Sequence, residues 1–240
     1  MQDKTEPNKI IQDKKITLKD LKKDLEFQAF LNITELQLEA LGYTEHGNRH
    51  ASIVANWTGD ILREIGGSTE REINLGELAG YLHDIGNAVN RNIHAQSGAI
   101  LAYDLLIKKG LNPKDAAEIM LAIGNHDEVQ GTPVSRISAA LIIADKADVH
   151  KSRVRRNKVI NFENKYIQDI HDRVNSAAEN SYLKFDPELR EITLNIKIDT
   201  AICAVMDYFE IYFSRMSFCR KAAAFLHCKF GIVINGVKLL

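Results

Sequence analysis

A chain of 240 residues is long enough to bury a full hydrophobic core in one large domain, or in one domain with a small appendage. Its 31 basic and 32 acidic side chains nearly cancel, which counts against a global attraction for nucleic acid or an anionic membrane surface. The polar start Met-Gln-Asp-Lys-Thr-Glu-Pro lacks the apolar run of a secretory signal, and no run approaches the roughly 20 apolar residues of a membrane span. A cytoplasmic protein is expected. Cys203, Cys219 and Cys228 form no CxxC and read as reduced packing residues.

Residues 1–16 are polar with little periodicity and read as a flexible N-terminus. Thr17 is the expected cap of a helix through Leu21, Leu25, Phe30 and Leu31, and a second helical pattern, Ile33, Leu36, Leu38 and Leu41, ends at Gly42. The segment Tyr43 to His50 opens a helix whose buried stripe is Ile53, Val54, Trp57, Ile61 and Leu62, stopping at Gly66-Gly67. Leu75, Leu78, Ala79 and Leu82 then carry a helix that ends on His83-Asp84. His94 heads the next helix, Asn112-Pro113 caps another that ends near His126, and Ser135 starts one that runs through Ile137 and Leu141 to Asp145. Residues 17–158 therefore read as one all-helical domain. Residues 159–240 form a small α+β domain: a partly helical stretch over 159–181, a hairpin (Tyr182–Phe185, Ile192–Ile196), a helix from about Thr200 to His227, and a strand at Phe230–Gly236. On that last helix, Met206, Phe209, Phe213 and Met216 form a stripe expected to be core or interface.

Six of the eight histidines fall between positions 46 and 150. His83 and Asp84 stand side by side in an apolar run, where each must be satisfied by a partner. Asp145 interrupts Ala139–Ala144 at a position that helical spacing turns toward the core, where a carboxylate needs strong compensation. One such anomaly is ordinary. His50, His83, Asp84, His126 and Asp145 on successive helices of one bundle are better explained by a shared metal site, because bundle cores are where such sites are built.

The ordered set His50, then His83-Asp84 in Leu-His-Asp-Ile-Gly, then Asp145 in Ile-Ile-Ala-Asp-Lys-Ala-Asp resembles the HD superfamily of metal-dependent phosphohydrolases over roughly residues 43–155. The fold that the resemblance implies is mainly α, a helical bundle with the α+β segment as an appendage. Within the superfamily, His94 (followed by Ala-Gln-Ser-Gly) and His126 match the added histidines of dinuclear branches. The pattern is closer to the YqeK-like hydrolases than to the HD-GYP phosphodiesterases, whose GYP signature is absent. The metal ligands so implied are His50, His83, Asp84, His94, His126 and Asp145, with Asp84 bridging two ions about 3.5–4 Å apart. Asp127, in a second His-Asp pair, is expected to be solvated.

The chemistry implied is cleavage of a phosphate ester or anhydride, of a nucleotide or dinucleotide, by a metal-bound hydroxide. Asp84, His83 and Lys146 are the expected catalytic residues, and Arg49, Lys146, Arg153 and His46 the expected substrate contacts; Arg155 and Arg156 rank below them. Asp148 is expected to accept a hydrogen bond from a ligating histidine. The donor set suits Fe, Mn, Co, Ni or Zn better than Mg alone, and the resemblance favours Fe or Mn. The expected partners are a small phosphorylated substrate and a second copy of the chain through the C-terminal domain, with no membrane. Two rival readings are a nuclease using the same metals, against which neutral charge counts, and a non-catalytic nucleotide-sensing module.

Overall fold

Two helices cross where their side chains are smallest. Helix α3 (Asn48–Glu64) meets α4 (Glu70–Leu82) at Gly80, where a Cβ would lie 2.7 Å from Ala55 Cα and 2.9 Å from the Val54 carbonyl oxygen. No other residue lets the two backbones approach so closely, and the crossing brings His50 and His83 within one cluster. The computed structural model describes residues 14–155 and 171–239.

Around this crossing stand α1 (Leu18–Lys23), α2 (Leu25–Ala40), α5 (His94–Lys108), α6 (Pro113–Gly124) and α7 (Arg136–Ala147). Local signals set their ends. Thr69, Asn112 and Ser135 each accept a hydrogen bond from a first-turn amide, and Pro113 fills the first helical position. The single long N-terminal helix expected through Leu31 is instead broken at Asp24, whose carboxylate caps the helix that follows at the Glu26 amide. Capping outcompeted continuation, and Leu25, Ile33 and Leu36 are left exposed. Helix α7 is buried from Ile137 to Ala147, enclosed by α3, α4 and α6 on one side and by the C-terminal segment on the other. It ends at Ala147, two residues past Asp145, so Arg153 does not lie on it.

The C-terminal segment is α8 (His171–Ala177), β1 (Ala178–Asp186), β2 (Glu191–Ile198), α9 (Val205–Phe225), β3 (Lys229–Ile234) and β4 (Val237–Lys238). Strands β1 and β2 form the expected hairpin, β2 pairs with β3 in parallel across the α9 crossover, and β4 turns back on β3. The expected strand over 230–236 stops earlier because Asn235 and Gly236 both take positive φ, 51° and 82°, and make a two-residue hairpin turn. Ile192, Leu194, Ile196 and Ile198 share the buried face of β2.

The buried stripe of α9 keeps Met216 of the expected four, with Phe209 packed against the core. Met206 and Phe213 are exposed at 64% and 71%, while Tyr208, Tyr212, Met216 and Cys219 are buried. Apart from a polar stripe at Asp207, Glu210, Ser214, Ser217 and Lys221, apolar residues cover the helix, so spacing alone left its buried face open. The Tyr208 and Tyr212 rings stack at 5.0 Å, and their hydroxyls reach Met216 Sδ and Asn175 Oδ1, which fixes the orientation. The 158/159 domain boundary, Arg156 and residues 159–170 lie outside the described residues, as do residues 1–13. Among the described residues no helix is long and apolar enough to cross a membrane.

Cys203 and Cys219 are buried free thiols. Burial, reinforced by Asp207, pushes Cys203 up to about 12, and burial raises Cys219 as well. Iodoacetamide at pH 8 should therefore label Cys228 alone in the native protein, and all three cysteines only after denaturation, as read by intact mass.

Candidate metal centre

The chain after Leu82 turns sharply. His83 closes α4, and Asp84 enters a short 3-10 turn over Ile85–Ala88 that lies directly on α5. The turn places Asp84 between two groups of imidazoles. His50 comes from the first turn of α3, His83 from the end of α4, His94 from the start of α5, and His126 from the loop after α6. Asp145 points in from the last turn of α7. All six side chains are buried or nearly so.

Their ring orientations are fixed from behind. Nδ1 of His83, His94 and His126 lies 2.8, 2.8 and 2.6 Å from the carbonyl oxygens of Gly80, Arg91 and Ile123. His50 Nδ1 lies 2.7 Å from Asp148 Oδ2. Each partner only accepts, so each Nδ1 carries the hydrogen and each Nε2 is turned to the centre. Inside, His83 Nε2 stands 3.2 Å from Asp84 Oδ2, and His50 Nε2 stands 3.4 Å from Asp145 Oδ1. His94 Nε2 stands 3.7 Å from Asp84 Oδ1 and 3.2 Å from His126 Nε2. The two oxygens of Asp84 thus face different imidazole groups.

These atoms lack internal partners. His50 Nε2, His83 Nε2 and Asp84 Oδ2 are buried with no hydrogen bond of acceptable geometry. Burial depresses His94 and holds His126 well below the ordinary imidazole value, so a shared proton does not resolve their facing lone pairs. Burial also works against charge on His83, yet the Asp84 and Asp145 carboxylates push it up to about 10. Two donors bound at about 2.1 Å to one ion, at 90–110° to each other, stand roughly 3.0–3.4 Å apart. The 3.2 and 3.4 Å separations match that spacing, and His50, His83, Asp145 and His83, Asp84, His126 form two groups of converging donors. The residues fit one or more divalent transition metals.

The outer layer holds the donors in place. Asp148 accepts from His50 and takes both guanidinium nitrogens of Arg49 at 3.0 Å. Burial would raise its pKa, but His50, Arg153 and Arg49 hold it well below the usual carboxylate range. Asn87 Nδ2 donates to Asp84 Oδ1 at 2.9 Å. Lys146 Nζ lies 2.7 Å from Asp145 Oδ2 and 2.6 Å from Glu128 Oε2, and Arg215 of α9 reaches Glu128 Oε1 at 3.1 Å. Asp148→Ala removes the acceptor that fixes the His50 tautomer, and should weaken metal affinity about 10–100-fold in a chelator competition with the fold intact.

Several expected substrate contacts sit elsewhere than anticipated. Lys146 is buried between two carboxylates, and Arg153 is buried against the Glu45 and Asp148 carbonyl oxygens. Both point into the protein, because a cation beside a buried acid is drawn to it. Arg49 is forked on Asp148, and Arg155 pairs with Glu35. His46 is buried beside His50 with its Nδ1 on the Thr44 carbonyl oxygen, at the rim of the donor cluster. Asp127 is not fully solvated: it lies 3.8 Å from His94 Nε2. Asn87, Arg91, Glu128 and Arg215 escaped the sequence reading. Asn87 could have been found three residues beyond Asp84; Arg215 had no signal, since only folding of α9 onto α7 brings it in.

Residues 48–152 match the HD domain family. The chain is also 31% identical over 163 residues to Uncharacterized protein MJ1020 of Methanocaldococcus jannaschii, an alignment that covers 59% of this chain and 62% of the relative. The chain thus spans less than two thirds of that relative's length.

Proposed function

Since residues 48–152 match the HD domain family, we propose that the chain is a metal-dependent phosphohydrolase of the dinuclear kind, cleaving a phosphate ester or anhydride of a nucleotide or dinucleotide. One observation carries the reading. Two sets of inward-turned imidazoles face opposite oxygens of one carboxylate, Asp84, and the His94 and His126 lone pairs oppose each other at 3.2 Å. Cations between them resolve an arrangement that is otherwise repulsive. His50, His83, Asp145 and Asp84 Oδ2 would hold one ion; His94, His126 and Asp84 Oδ1 would hold the other, with Fe or Mn favoured by the resemblance to the HD superfamily. When bound, such ions lower the pKa of water to near neutrality and neutralise charge building on phosphoryl oxygens.

The chain's own residues do the positioning. Asn87 fixes the Asp84 carboxylate, and Lys146 takes one oxygen of Asp145 so that the other faces inward. Asp148 keeps His50 in the tautomer that offers Nε2. The buried surroundings keep bulk water from competing for these groups. Among the described residues, most cations around the centre are paired with carboxylates, which counts against a nucleic-acid backbone as the substrate.

The test is metal content and turnover on protein purified without chelator. We expect near two equivalents per chain by elemental analysis, and Mn- or Fe-dependent release of phosphate from nucleotides. Retained metal with no turnover across a broad panel of phosphate esters and anhydrides would favour the sensing module. No bound metal would end the reading.

A further inference from the structure

Among the described residues, Arg91 is a cation beside the centre that lacks a carboxylate. Arg49, Lys146, Arg155 and Arg215 each sit on one or more acids. Among the described residues, no carboxylate lies within ion-pair distance of Arg91. Its guanidinium instead lies 3.2 Å from the Asn87 amide oxygen and 5.2 Å from the centre of the Tyr43 ring. Asn87 in turn donates to Asp84 Oδ1, and the Arg91 carbonyl oxygen receives the His94 Nδ1 hydrogen. Arg91 thus touches the donor set from two sides, half-buried, with its charge unanswered. A guanidinium so placed is a fork for anionic oxygens.

Beyond Arg91 lies a groove of about 450 Å³, between the end of α2 and the turn before α5. Tyr43 and Leu41 give it an apolar, partly aromatic wall, and Gln37, Asn90 and Asn92 place neutral amides along it. No acid or further base lines it. A flat group with hydrogen-bonding edges and an anion at one end fits these walls. A bare sugar phosphate would leave the Tyr43 ring and Leu41 facing water.

We propose that Arg91 receives a phosphoryl oxygen of the substrate and that the Tyr43 groove seats the attached nucleoside. This rests on the phosphohydrolase reading and assigns the residues that select a nucleotide at the same site. Stacking on an aromatic ring tolerates any base, so the seat selects nucleotides over other phosphate esters more than one base over another.

The test is calorimetric titration of the full-length, Mn-loaded protein with probes whose P–C bond resists cleavage: methylphosphonate, the 5-phosphonate of ribose and the 5′-phosphonate of adenosine. Wild type should bind the adenosine probe about tenfold or more tightly than the ribose probe. Arg91→Ala should weaken all three by about tenfold or more, and Arg91→Lys less, since it keeps the charge without the fork. Ala40→Trp, which fills the groove, should abolish the advantage of adenosine and leave methylphosphonate binding unchanged. Arg91→Ala binding methylphosphonate as wild type does would overturn the anion role, and equal binding of the ribose and adenosine probes would overturn the nucleoside seat. Wild type that takes up no Mn strikes the hydrolase reading itself; normal loading with unaltered binding in the variants strikes this inference alone.

Discussion

Asp84→Ala should lose both metal and hydrolysis while keeping its helices. Asp84 faces His50 and His83 with one oxygen and His94 with the other, so one truncation removes a donor from both proposed ion positions. Loss of an outer-layer partner costs about 10–100-fold in metal affinity, and loss of a shared donor should exceed that. The fold should tolerate the change, because Asp84 closes no helix and a buried carboxylate gives the polypeptide little stability of its own. Elemental analysis should then find well under one equivalent per chain, and phosphate release should fall below detection. Circular dichroism should remain near wild type. An active, metal-replete Asp84→Ala would remove the basis of the assignment. Asp84→Asn offers a milder version, since it keeps the shape and one acceptor oxygen while removing the charge.

Gly86→Ala should damage the same site through the backbone. A Cβ at Gly86 would lie 2.0 Å from the His94 carbonyl oxygen and 2.4 Å from the Gly98 amide nitrogen. Both belong to the α5 main chain, so no side-chain rotation relieves the overlap. The turn carrying Asp84 must lift from the helix carrying His94. We expect a loss of about 3 kcal/mol, at the upper end for overpacking, which in a chain of this size lowers Tm by roughly 6–12 °C. The variant should retain at most one metal equivalent, because His94 and Asp84 Oδ1 move apart while His50, His83 and Asp145 keep their places. A Gly86→Ala protein that melts with wild type would show that the close approach of the turn and α5 is not required.

Five of the candidate donors stood out in the sequence because each violates its surroundings: His83-Asp84 and Asp145 interrupt apolar helical runs, and His50 and His126 sit at the ends of otherwise regular helices. His94 was marked only by the family resemblance. The chain now brings those six together. The cations beside them were read in the wrong direction: adjacency to Asp145 placed Lys146 correctly along the chain, but adjacency cannot tell a side chain reaching to solvent from one drawn back onto Glu128. Arg91 was passed over because nothing in its neighbourhood marks it; its significance lies in the acid it lacks, which only coordinates reveal. The helical domain was legible from spacing and caps. The face of α9 was not, because Met206, Phe209 and Phe213 compete with Tyr208, Tyr212 and Met216 at equal spacing, and the winner is set by partners in α7, α8 and the sheet.

The enclosure of α7 on all sides has a consequence for how the protein is made. During synthesis α3 to α7 leave the ribosome with local contacts to satisfy, but the flank of α7 that meets α9 stays bare until residues 205–225 have followed. Parallel pairing of β2 with β3 delays closure further, since it waits for the whole crossover. The Asp145 helix therefore settles only after most of the polypeptide has been translated, and the nascent chain carries an uncovered apolar flank through that interval.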